Sequence, residues 1–302
     1  MGYNCFMDID FNNVTIDMKP WVESFTKPWH LNNSEYVFTN LLMWGTDGRI
    51  QLAEADDALF FLLQYGGDDP FMFAPLTRNP QGDYARALDA AVRYCSAHGI
   101  LPVFKAIAGP IKAEFERCAG YSLTEDRDNY DYIYNMEDLR GLAGKKLHSK
   151  RNHINQFRAQ YAFEYVEVTS AMMDECLDVY ANWLENKDVL EPGVLGELEA
   201  IRQILTHMEY LGVRGGGIRV DGELVAFSLG ERIDQDMAVI HIEKADEMTG
   251  LYSIINQQFI EHEFTDMKLI NREEDMGLEG LRKAKMSYNP ITLLEKFVGR
   301  PL

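Results

Sequence analysis

One short segment near the middle of this sequence concentrates positive charge. It reads GKKLHSKRNHINQFRAQY, spans Gly144 to Tyr161 and contains no carboxylate. Its basic side chains are Lys145, Lys146, His148, Lys150, Arg151, His153 and Arg158. An arginine grips phosphate or carboxylate through two hydrogen bonds, and a lysine adds a mobile point charge. The segment therefore predicts an anion site, with Lys146, Lys150 and Arg151 as substrate-binding residues.

The same segment has the periodicity of an amphipathic helix. On a helical wheel of about 100° per residue, one apolar stripe is formed by Leu147, Ile154, Phe157 and Tyr161. Lys150 falls within this stripe, with Arg151 and Lys146 on opposite borders. Packing of the stripe would fix the direction of these cations, which favours a binding site. The alternative is a solvated helix whose lysine stems lie on apolar surface with their charged ends in water.

The surrounding chain is strongly acidic. Lys plus Arg total 29 and Asp plus Glu total 48, which gives a net charge of −19. Such a field repels nucleic acid and anionic membranes on average, so an anionic ligand requires a local basic site. The length of 302 residues suits two domains, and 46% hydrophobic content is typical of globular proteins.

Cysteine usage and apolar runs narrow the class of protein. Cys5, Cys95, Cys118 and Cys176 are widely spaced and form no CxxC or Cys/His cluster, so we expect reduced thiols and no metal site. The N-terminus carries acid where a signal peptide requires base. The longest apolar run, ALFFLL, is far shorter than the roughly 20 residues that span a bilayer. We expect a cytoplasmic protein without a membrane anchor.

Two parts of the chain repeat one order of elements. In the first, the strands ALFFLLQY and FMFAPL precede a helix that begins at Tyr84 and a strand, LPVFKAI. In the second, a hairpin with an Asp221-Gly222 turn precedes the strand MAVIHIEKA, a helix carrying Leu251, Ile255 and Phe259, and the strand MKLINREE. The repeat predicts two related α/β (α+β) domains, with residues 1–140 in one and 141–302 in the other.

Two amphipathic stretches precede the second hairpin, one beginning near Met172 and the other near Leu198. Helices, then a hairpin, then strand, loop, helix and strand is the order of the acetyltransferase-type (GNAT) fold. We therefore predict a tandem pair of GNAT-like, acyl-CoA N-acyltransferase-like domains, with the basic helix at the entry to the second.

Three stretches resemble a known family. They are KKLHSKRNHINQF, AVIHIEKADEMTGLYSIINQQF and INREEDMGLEGLRKAKMSYNP. They resemble signatures of the DUF2156 family, which is related to the C-terminal domain of phosphatidylglycerol lysyltransferase and similar to Fem aminoacyltransferases. The resemblance runs from SEYVFTNLLMW to LLEKF.

The resemblance implies transfer of an acyl or aminoacyl group to an amine or hydroxyl acceptor, with aminoacyl-tRNA as a possible donor and partner. It leaves the acceptor open among small molecules, lipids and peptides. A coenzyme-A-dependent N-acetyltransferase is one alternative, and a non-catalytic protein that binds an anionic ligand or partner is another.

Acyl transfer requires a base for the acceptor, and carboxylates near strand ends are candidates. These are Glu243 on MAVIHIEKA, and Glu273 and Asp275 in NREED. Tyr288 is a candidate to protonate the leaving group, with Tyr252 as a competitor, while Arg282 and Lys285 add cations for the substrate. Each of these residues could equally be an ordinary packed or surface side chain without a role in catalysis.

The loop ADEMTGLYS would hold the donor in the coenzyme-A form of this fold, through Gly250, Tyr252 and Ser253. That form relies on closely spaced glycines whose backbone N–H groups approach a pyrophosphate. Here the loop has one glycine, so we expect weak coenzyme A binding. The run Gly215 to Gly217 precedes a hairpin strand and is interpreted as a bulge or flexible entry.

Overall fold

The computed structural model describes residues 9–45, 48–185 and 194–302. The chain forms two compact units, one of Met1–Asn129 with Glu295–Leu302 and the other of Tyr130–Leu294. Each unit contains a mixed seven-stranded sheet. The boundary thus lies before the predicted one at residue 140, because a strand beginning at Asp131 already belongs to the second sheet. The end of the chain returns to the first sheet, which no local pattern indicated.

The first unit is built around strands that are antiparallel except for one neighbouring pair. In chain order its elements are β1 (Asn12–Asn13), α1 (Lys19–Thr26), α2 (Phe38–Trp44), β2 (Ile50–Ala55), β3 (Ala58–Leu63), β4 (Phe71–Thr77), α3 (Tyr84–Ala97), β5 (Phe104–Ile107), α4 (Gly109–Arg117), β6 (Tyr121–Glu125) and, at the end of the chain, β14 (Phe297–Pro301). The strand order is β1-β2-β3-β4-β5-β14-β6, with β4 and β5 parallel.

The second unit has the same kind of sheet with more helices. Its elements are β7 (Asp131–Asn135), α5 (Met136–Gly141), α6 (His148–Gln160), β8 (Phe163–Glu167), α7 (Met173–Glu185), α8 (Val194–Leu211), β9 (Arg214–Val220), β10 (Glu223–Arg232), β11 (Met237–Ala245), α9 (Leu251–Glu263), β12 (Leu269–Asn271), α10 (Glu279–Met286) and β13 (Thr292–Leu294). The strand order is β13-β7-β12-β11-β10-β9-β8, and β11 and β12 form the parallel pair.

The predicted repeat is confirmed in the order β3-β4-α3-β5 and β10-β11-α9-β12. In both units a helix connects the two parallel strands, as a parallel crossover requires. The hairpin between β9 and β10 turns at Asp221 and Gly222, which both have a left-handed φ, at 53° and 86°. Such a two-residue turn matches the twist of the strands it connects.

The glycine run is part of a regular strand rather than a flexible entry. Gly215, Gly216 and Gly217 lie in β9 and are buried. A Cβ added to Gly216 would lie 2.2 Å from the phenol oxygen of Tyr165. These glycines therefore allow the neighbouring side chains of β8 and α9 to pack directly on the strand.

The apolar stripe of α6 is buried as the wheel predicted. Leu147, Ile154 and Phe157 belong to the core of the second unit, together with Leu251 and Ile255 of α9. The two helices lie close together where α9 begins, at Gly250. Its φ is +91°, and a Cβ there would lie 2.2 Å from the carbonyl oxygen of His153. The single glycine of this loop thus lets the start of α9 lie against α6.

Two further expectations concern thiols and membranes. Cys95 is buried in the core as predicted, and Cys95, Cys118 and Cys176 are free thiols, while Cys5 lies outside the described residues. Among the helices in the described parts of the chain, none combines the length and apolar character needed to cross a bilayer.

The contact between α6 and α9 predicts a position-specific effect of one methyl group. Gly250→Ala should lower the free energy of unfolding by roughly 1–3 kcal/mol, because the methyl group meets a backbone carbonyl and φ is left-handed. Gly280→Ala in α10 is the matched control, since its Cβ would enter open space; it should raise that free energy by roughly 0.4–1 kcal/mol. Urea unfolding measures both. Equal effects of the two substitutions would contradict the close approach.

Candidate active site

The parallel strands β11 and β12 separate after a short stretch. Their pairing ends where Val239 lies opposite Asn271, while β11 continues to Ala245 alongside β10. After β12 the backbone stays alongside β7 and no longer pairs with β11. The amide of Arg272 donates to the carbonyl of Tyr132 at 3.0 Å. The last residues of β11 and the segment after β12 are therefore joined by side chains.

The side chains that join them are Glu243 and Arg272. A guanidinium nitrogen, Nη2 of Arg272, donates to Oε1 of Glu243 at 2.9 Å. The amide Nδ2 of Asn256, on α9, donates to the other carboxylate oxygen at 3.0 Å. The ion-paired side chains are only 12% and 11% exposed. A carboxylate with both oxygens engaged is well held but has little freedom to act as a base.

Two polar atoms of this arrangement lack partners. Nη1 of Arg272 and Oδ1 of Asn256 are buried and make no hydrogen bond of ordinary length and angle within the described residues, although the guanidinium also interacts with the phenol of Tyr288. Asn256 itself is fully buried. A buried donor or acceptor without a partner costs roughly 1–3 kcal/mol, and such groups are rare in native proteins. One unsatisfied donor and one unsatisfied acceptor beside the same carboxylate therefore form a candidate place for a ligand or an ordered water.

Aromatic rings surround the guanidinium. Its Cζ lies 4.8 Å from the ring centroid of Tyr288 and 5.7 Å from that of Tyr134. Burial opposes the charge of Arg272, but Glu243 outweighs it, and the pKa of Arg272 is raised. The phenol of Tyr288 donates to Oγ of Ser253 at 3.3 Å, and burial raises the pKa of Tyr288.

Lys150 reaches this site from α6. Its Nζ lies 4.0 Å from the ring centroid of Tyr288. Burial, followed by the nearby charge of Arg272, lowers the pKa of Lys150 to about 8, although Glu243 acts in the opposite direction. We call the six residues Glu243, Arg272, Asn256, Lys150, Tyr288 and Ser253 the Glu243 cluster. The structure thus brings together four of the residues selected from sequence: Glu243, Tyr288, Lys150 and Ser253.

Glu273 lies next to the cluster with a different partner. Its carboxylate is 2.9 Å from Nδ1 of His241, whose Nε2 is 3.0 Å from the carboxylate of Glu231. Burial lowers the pKa of His241, but the two carboxylates outweigh it and raise the pKa to about 9. Glu273 also has a left-handed φ of 57°. This buried triad fastens the segment after β12 to the sheet.

Asp275 and Arg282 pair with each other rather than with a common ligand. Nε and Nη2 of Arg282 donate to the two carboxylate oxygens of Asp275 at 2.9 and 2.8 Å, and the phenol of Tyr132 donates at 2.6 Å. Although burial acts in the opposite direction, these hydrogen bonds hold the pKa of Asp275 well below its usual range. The ammonium of Lys285 donates to the carbonyl oxygens of Arg272, at 2.6 Å, and Glu274. These contacts favour structural roles for Asp275, Arg282 and Lys285.

The cations of the basic stretch point in different directions. Arg151 donates to the carbonyl oxygens of Leu142 and Gly144 and so holds the turn before α6. Lys146 donates to the side-chain oxygen of Asn289 at 2.9 Å in an exposed contact. Successive helical residues lie about 100° apart, so Lys150 and Arg151 cannot share one direction. Among the three cations of the basic stretch that were predicted to bind substrate, Lys150 alone reaches the ring of Tyr288.

The predicted donor loop has no open glycine cradle. Gly250 faces α6, as described above, while Ser253 is buried against Tyr288. Tyr252 is 42% exposed, and its phenol interacts with Trp183 and the backbone of Ala245. Among the residues that the structure describes, no group of three or more His, Cys, Asp or Glu side chains is placed to hold a metal ion.

Sequence reasoning missed Arg272 and Asn256. Arg272 lies within the stretch INREED, in which the neighbouring acids Glu273 and Asp275 were the predicted site residues. Asn256 directly follows Ile255 on the buried side of α9, and a fully buried amide in such a helix is a signal for a polar site.

The chain was compared with known protein families and solved structures. Residues 26–299 match the family described as "Phosphatidylglycerol lysyltransferase, C-terminal". The chain belongs to this family. The predicted relationship to the phosphatidylglycerol lysyltransferase C-terminal family is therefore confirmed.

Solved structures agree with this family and with the fold. A conserved protein of unknown function from Bacteroides thetaiotaomicron is 35% identical, with 97% of this chain and 100% of that chain covered and a TM-score of 0.87. The C-terminal DUF2156 domain of a putative lysylphosphatidylglycerol synthetase from Agrobacterium fabrum is 17% identical, over 93% and 91% of the chains, with a TM-score of 0.65.

A tandem GNAT protein from the clavulanic acid biosynthesis pathway is 10% identical, over 96% and 98% of the chains, with a TM-score of 0.52. The tandem GNAT-like fold predicted from sequence is thus confirmed. An uncharacterized protein from Mycoplasmoides gallisepticum is 25% identical over 182 residues, which are 56% of this chain and 55% of that relative. The chain therefore matches about half the length of this relative.

The triad of His241 predicts a specific dependence of stability on pH. Its pKa is about 9 in the folded state against 6.5 in the unfolded chain. The stabilisation is therefore complete below pH 6.5 and is lost as the pH rises through 9, a change on the order of 3 kcal/mol. His241→Gln should remove this part of the slope, and His98→Gln, at an exposed histidine, should keep it. Urea unfolding between pH 6 and 9.5 measures all three. Equal slopes for His241→Gln and the parent protein would contradict a charged triad.

Proposed function

We propose that this protein is an aminoacyltransferase that moves an aminoacyl group from an ester donor to an amine or hydroxyl acceptor at the Glu243 cluster. The observation that carries the proposal is the pair of unsatisfied buried atoms, Nη1 of Arg272 and Oδ1 of Asn256. Membership of a lysyltransferase family supports the same class of reaction.

The hydrogen-bonding capacity of these two atoms favours an aminoacyl over an acetyl group. A guanidinium nitrogen only donates, and an amide oxygen only accepts. An acetyl group offers a single carbonyl oxygen, which would satisfy Arg272 and leave Asn256 without a partner. An α-aminoacyl group offers a carbonyl oxygen and an α-ammonium group, one for each atom. Both groups are anchored to Glu243, so their positions are fixed before the donor arrives.

The same arrangement suits the transition state. Attack on the ester carbonyl places negative charge on its oxygen, and a fixed donor in a buried site stabilises that charge. Arg272 supplies such a donor with a full positive charge, while Glu243 and the ring of Tyr288 hold its guanidinium plane in place. Removal of one donor of this kind typically costs about 10²–10³ in kcat.

The start of α9 gives little support to coenzyme A as donor. The loop before this helix carries Asp246 and Glu247, whose charges repel a pyrophosphate. Its one glycine, Gly250, faces the carbonyl oxygen of His153. The exposed cations on α6 and directly before it, among them Arg158 and Lys145, favour a donor with a phosphate backbone, and we propose aminoacyl-tRNA.

Transfer from labelled donors tests this function. The purified protein is mixed with a pool of radiolabelled aminoacyl-tRNAs, and the label is followed into vesicles containing phosphatidylglycerol and into a mixture of small amines and hydroxyl compounds. Acetyl-CoA labelled in the acetyl group is assayed in parallel. Enzyme-dependent transfer from aminoacyl-tRNA is expected. Transfer only from acetyl-CoA would contradict the aminoacyl assignment, and binding of tRNA without transfer would identify a binding protein.

Arg272→Lys tests the role of the guanidinium in the same assay. Lysine keeps the charge beside Glu243 but loses the second fork of the guanidinium, so kcat/KM should fall about 10²–10³-fold. The matched control is Arg232→Lys, because Arg232 is an exposed partner of Asp266 at the end of β10. It should change kcat/KM less than about 2-fold. Thermal melting checks that both variants are folded, and an unchanged rate in folded Arg272→Lys would contradict the proposed role.

A further inference from the structure

The proposed transfer requires a group that removes a proton from the attacking amine or hydroxyl. The three carboxylates predicted from the sequence are all engaged in other hydrogen bonds or ion pairs. Glu243 accepts from Arg272 and Asn256 through its two oxygens. Glu273 contacts the imidazole of His241, and Asp275 is held by Arg282 and Tyr132. A general base must be able to reach the proton it accepts, and none of the three is placed to do so without breaking these contacts.

Lys150 is placed differently. Its ammonium lies over the ring of Tyr288 at 4.0 Å, and within the described residues it has neither a hydrogen bond nor an ion pair. The same ring has the guanidinium of Arg272 near it, at 4.8 Å. The nitrogen of Lys150 and the guanidinium of Arg272, which is the proposed hydrogen-bond donor to the acyl oxygen, therefore lie near the same aromatic ring. The position of α6 fixes this arrangement, since Leu147 and Ile154 on either side of Lys150 are buried in the core.

We propose that Lys150 is the catalytic base of the transfer reaction: its neutral amine takes the proton from the attacking group. This inference rests on the proposed function. The nucleophile attacks the ester carbonyl, and the new C–N or C–O bond forms as its proton passes to Nζ. The bond from the acyl carbon to the donor oxygen then breaks, and the Lys150 ammonium returns the proton to that oxygen. Protons and electrons balance without any further reactant.

The surroundings of Lys150 favour exchange of a proton near neutral pH, although the ring of Tyr288 favours the charged form. Arg272, which follows β12, disfavours its charge, Glu243 on β11 favours it, and burial disfavours it most, so that its pKa is about 8. Tyr288, which follows α10, presents a ring whose phenol donates to Ser253. The neighbouring helix α9 contributes Ser253 and Asn256, which do not titrate. On α6 itself, Arg151 is directed at the carbonyl oxygens of Leu142 and Gly144.

This role differs from the phosphate-binding role that the basic stretch suggests. A lysine that binds an anion works best when it is charged at every physiological pH, and an exposed lysine fulfils that condition. A lysine whose pKa lies near the working pH can exchange a proton during each cycle. The basic stretch therefore divides into exposed cations such as Lys145 and Arg158 and one inward lysine with another task.

Two measurements on the full chain test the inference. In the first, kcat/KM for aminoacyl-tRNA is followed from pH 6.5 to 9.5. It should rise with an apparent pKa of about 8 in the parent protein. Lys150→Met should lower kcat about 10²–10⁴-fold, with little change in the donor KM, and should abolish this rise. The control is Lys283→Arg, an exposed position on α10, which should keep both the rate and the profile.

The second measurement does not depend on activity. Trace acetylation with labelled acetic anhydride at a series of pH values, read by peptide mass spectrometry, gives the pKa of each reactive lysine. Lys150 is expected to titrate near 8. An ordinary value for Lys150 would overturn the inference. If Lys150→Met does not fold, the inference is tested by the measured pKa of Lys150 and by the pH profile of Lys150→Arg.

The two proposals fail in different ways. If the parent protein transfers aminoacyl groups but folded Lys150→Met keeps its rate and pH profile, the base is another group and the proposed function stands. If the parent protein transfers no aminoacyl group from any tRNA in the pool, the proposed function fails and the assignment of Lys150 fails with it.

Discussion

The ion pair between Glu243 and Arg272 is the interaction around which the candidate site is arranged. It connects two strands at the point where their backbone hydrogen bonds end, a place where an open sheet would otherwise expose polar groups. A buried ion pair is stable only when further hydrogen bonds satisfy its members, and loss of one member typically costs about 3–5 kcal/mol. Asn256 and the rings of Tyr288 and Tyr134 provide that support, while Nη1 of Arg272 and Oδ1 of Asn256 make no hydrogen bond of ordinary geometry within the described residues.

Much of the surrounding polar structure serves to hold Arg272 in position. Its backbone carbonyl accepts from Lys285, its amide donates to Tyr132, and the next residue is fastened to His241. These contacts explain why several residues that look catalytic in the sequence are engaged in pairs. In the proposed reaction, these pairs position Arg272 and do not contact the substrate themselves.

The first unit uses the corresponding strand end in another way. From the middle of β4 to its carboxyl end, the carbonyl oxygens of Ala74 and Thr77 accept hydrogen bonds from Tyr36, at 3.0 Å, and Trp29, at 2.7 Å. Both aromatic side chains are buried. The two units therefore share an order of elements but not the chemistry of their strand ends: rings fill one, and an ion pair with unsatisfied polar atoms fills the other.

The sequence predicted those features that depend on neighbours in the chain. The stripe of α6, the turn at Asp221 and Gly222 and the bounds of β11 follow from local periodicity and turn chemistry, and all are found in the structure. It did not predict which charges pair. Asp275 pairs with Arg282, which is seven residues away in the sequence, but Glu243 pairs with Arg272 across 29 residues. Strand β14 pairs within the first sheet although the whole second unit separates it in sequence from the other strands of that sheet. Such pairings depend on the tertiary fold. The sequence therefore predicted individual site residues but not which of them contact one another.

The central claim is that the Glu243 cluster receives an aminoacyl group through Arg272 and Asn256. A crystal structure of the protein with a stable amide analogue, 3′-aminoacylamino-adenosine, tests it most directly. The account predicts the acyl oxygen within about 3 Å of Nη1 of Arg272 and the α-amino group within about 3 Å of Oδ1 of Asn256, the usual length of such hydrogen bonds. An analogue bound elsewhere, with these two atoms still without partners, would contradict it.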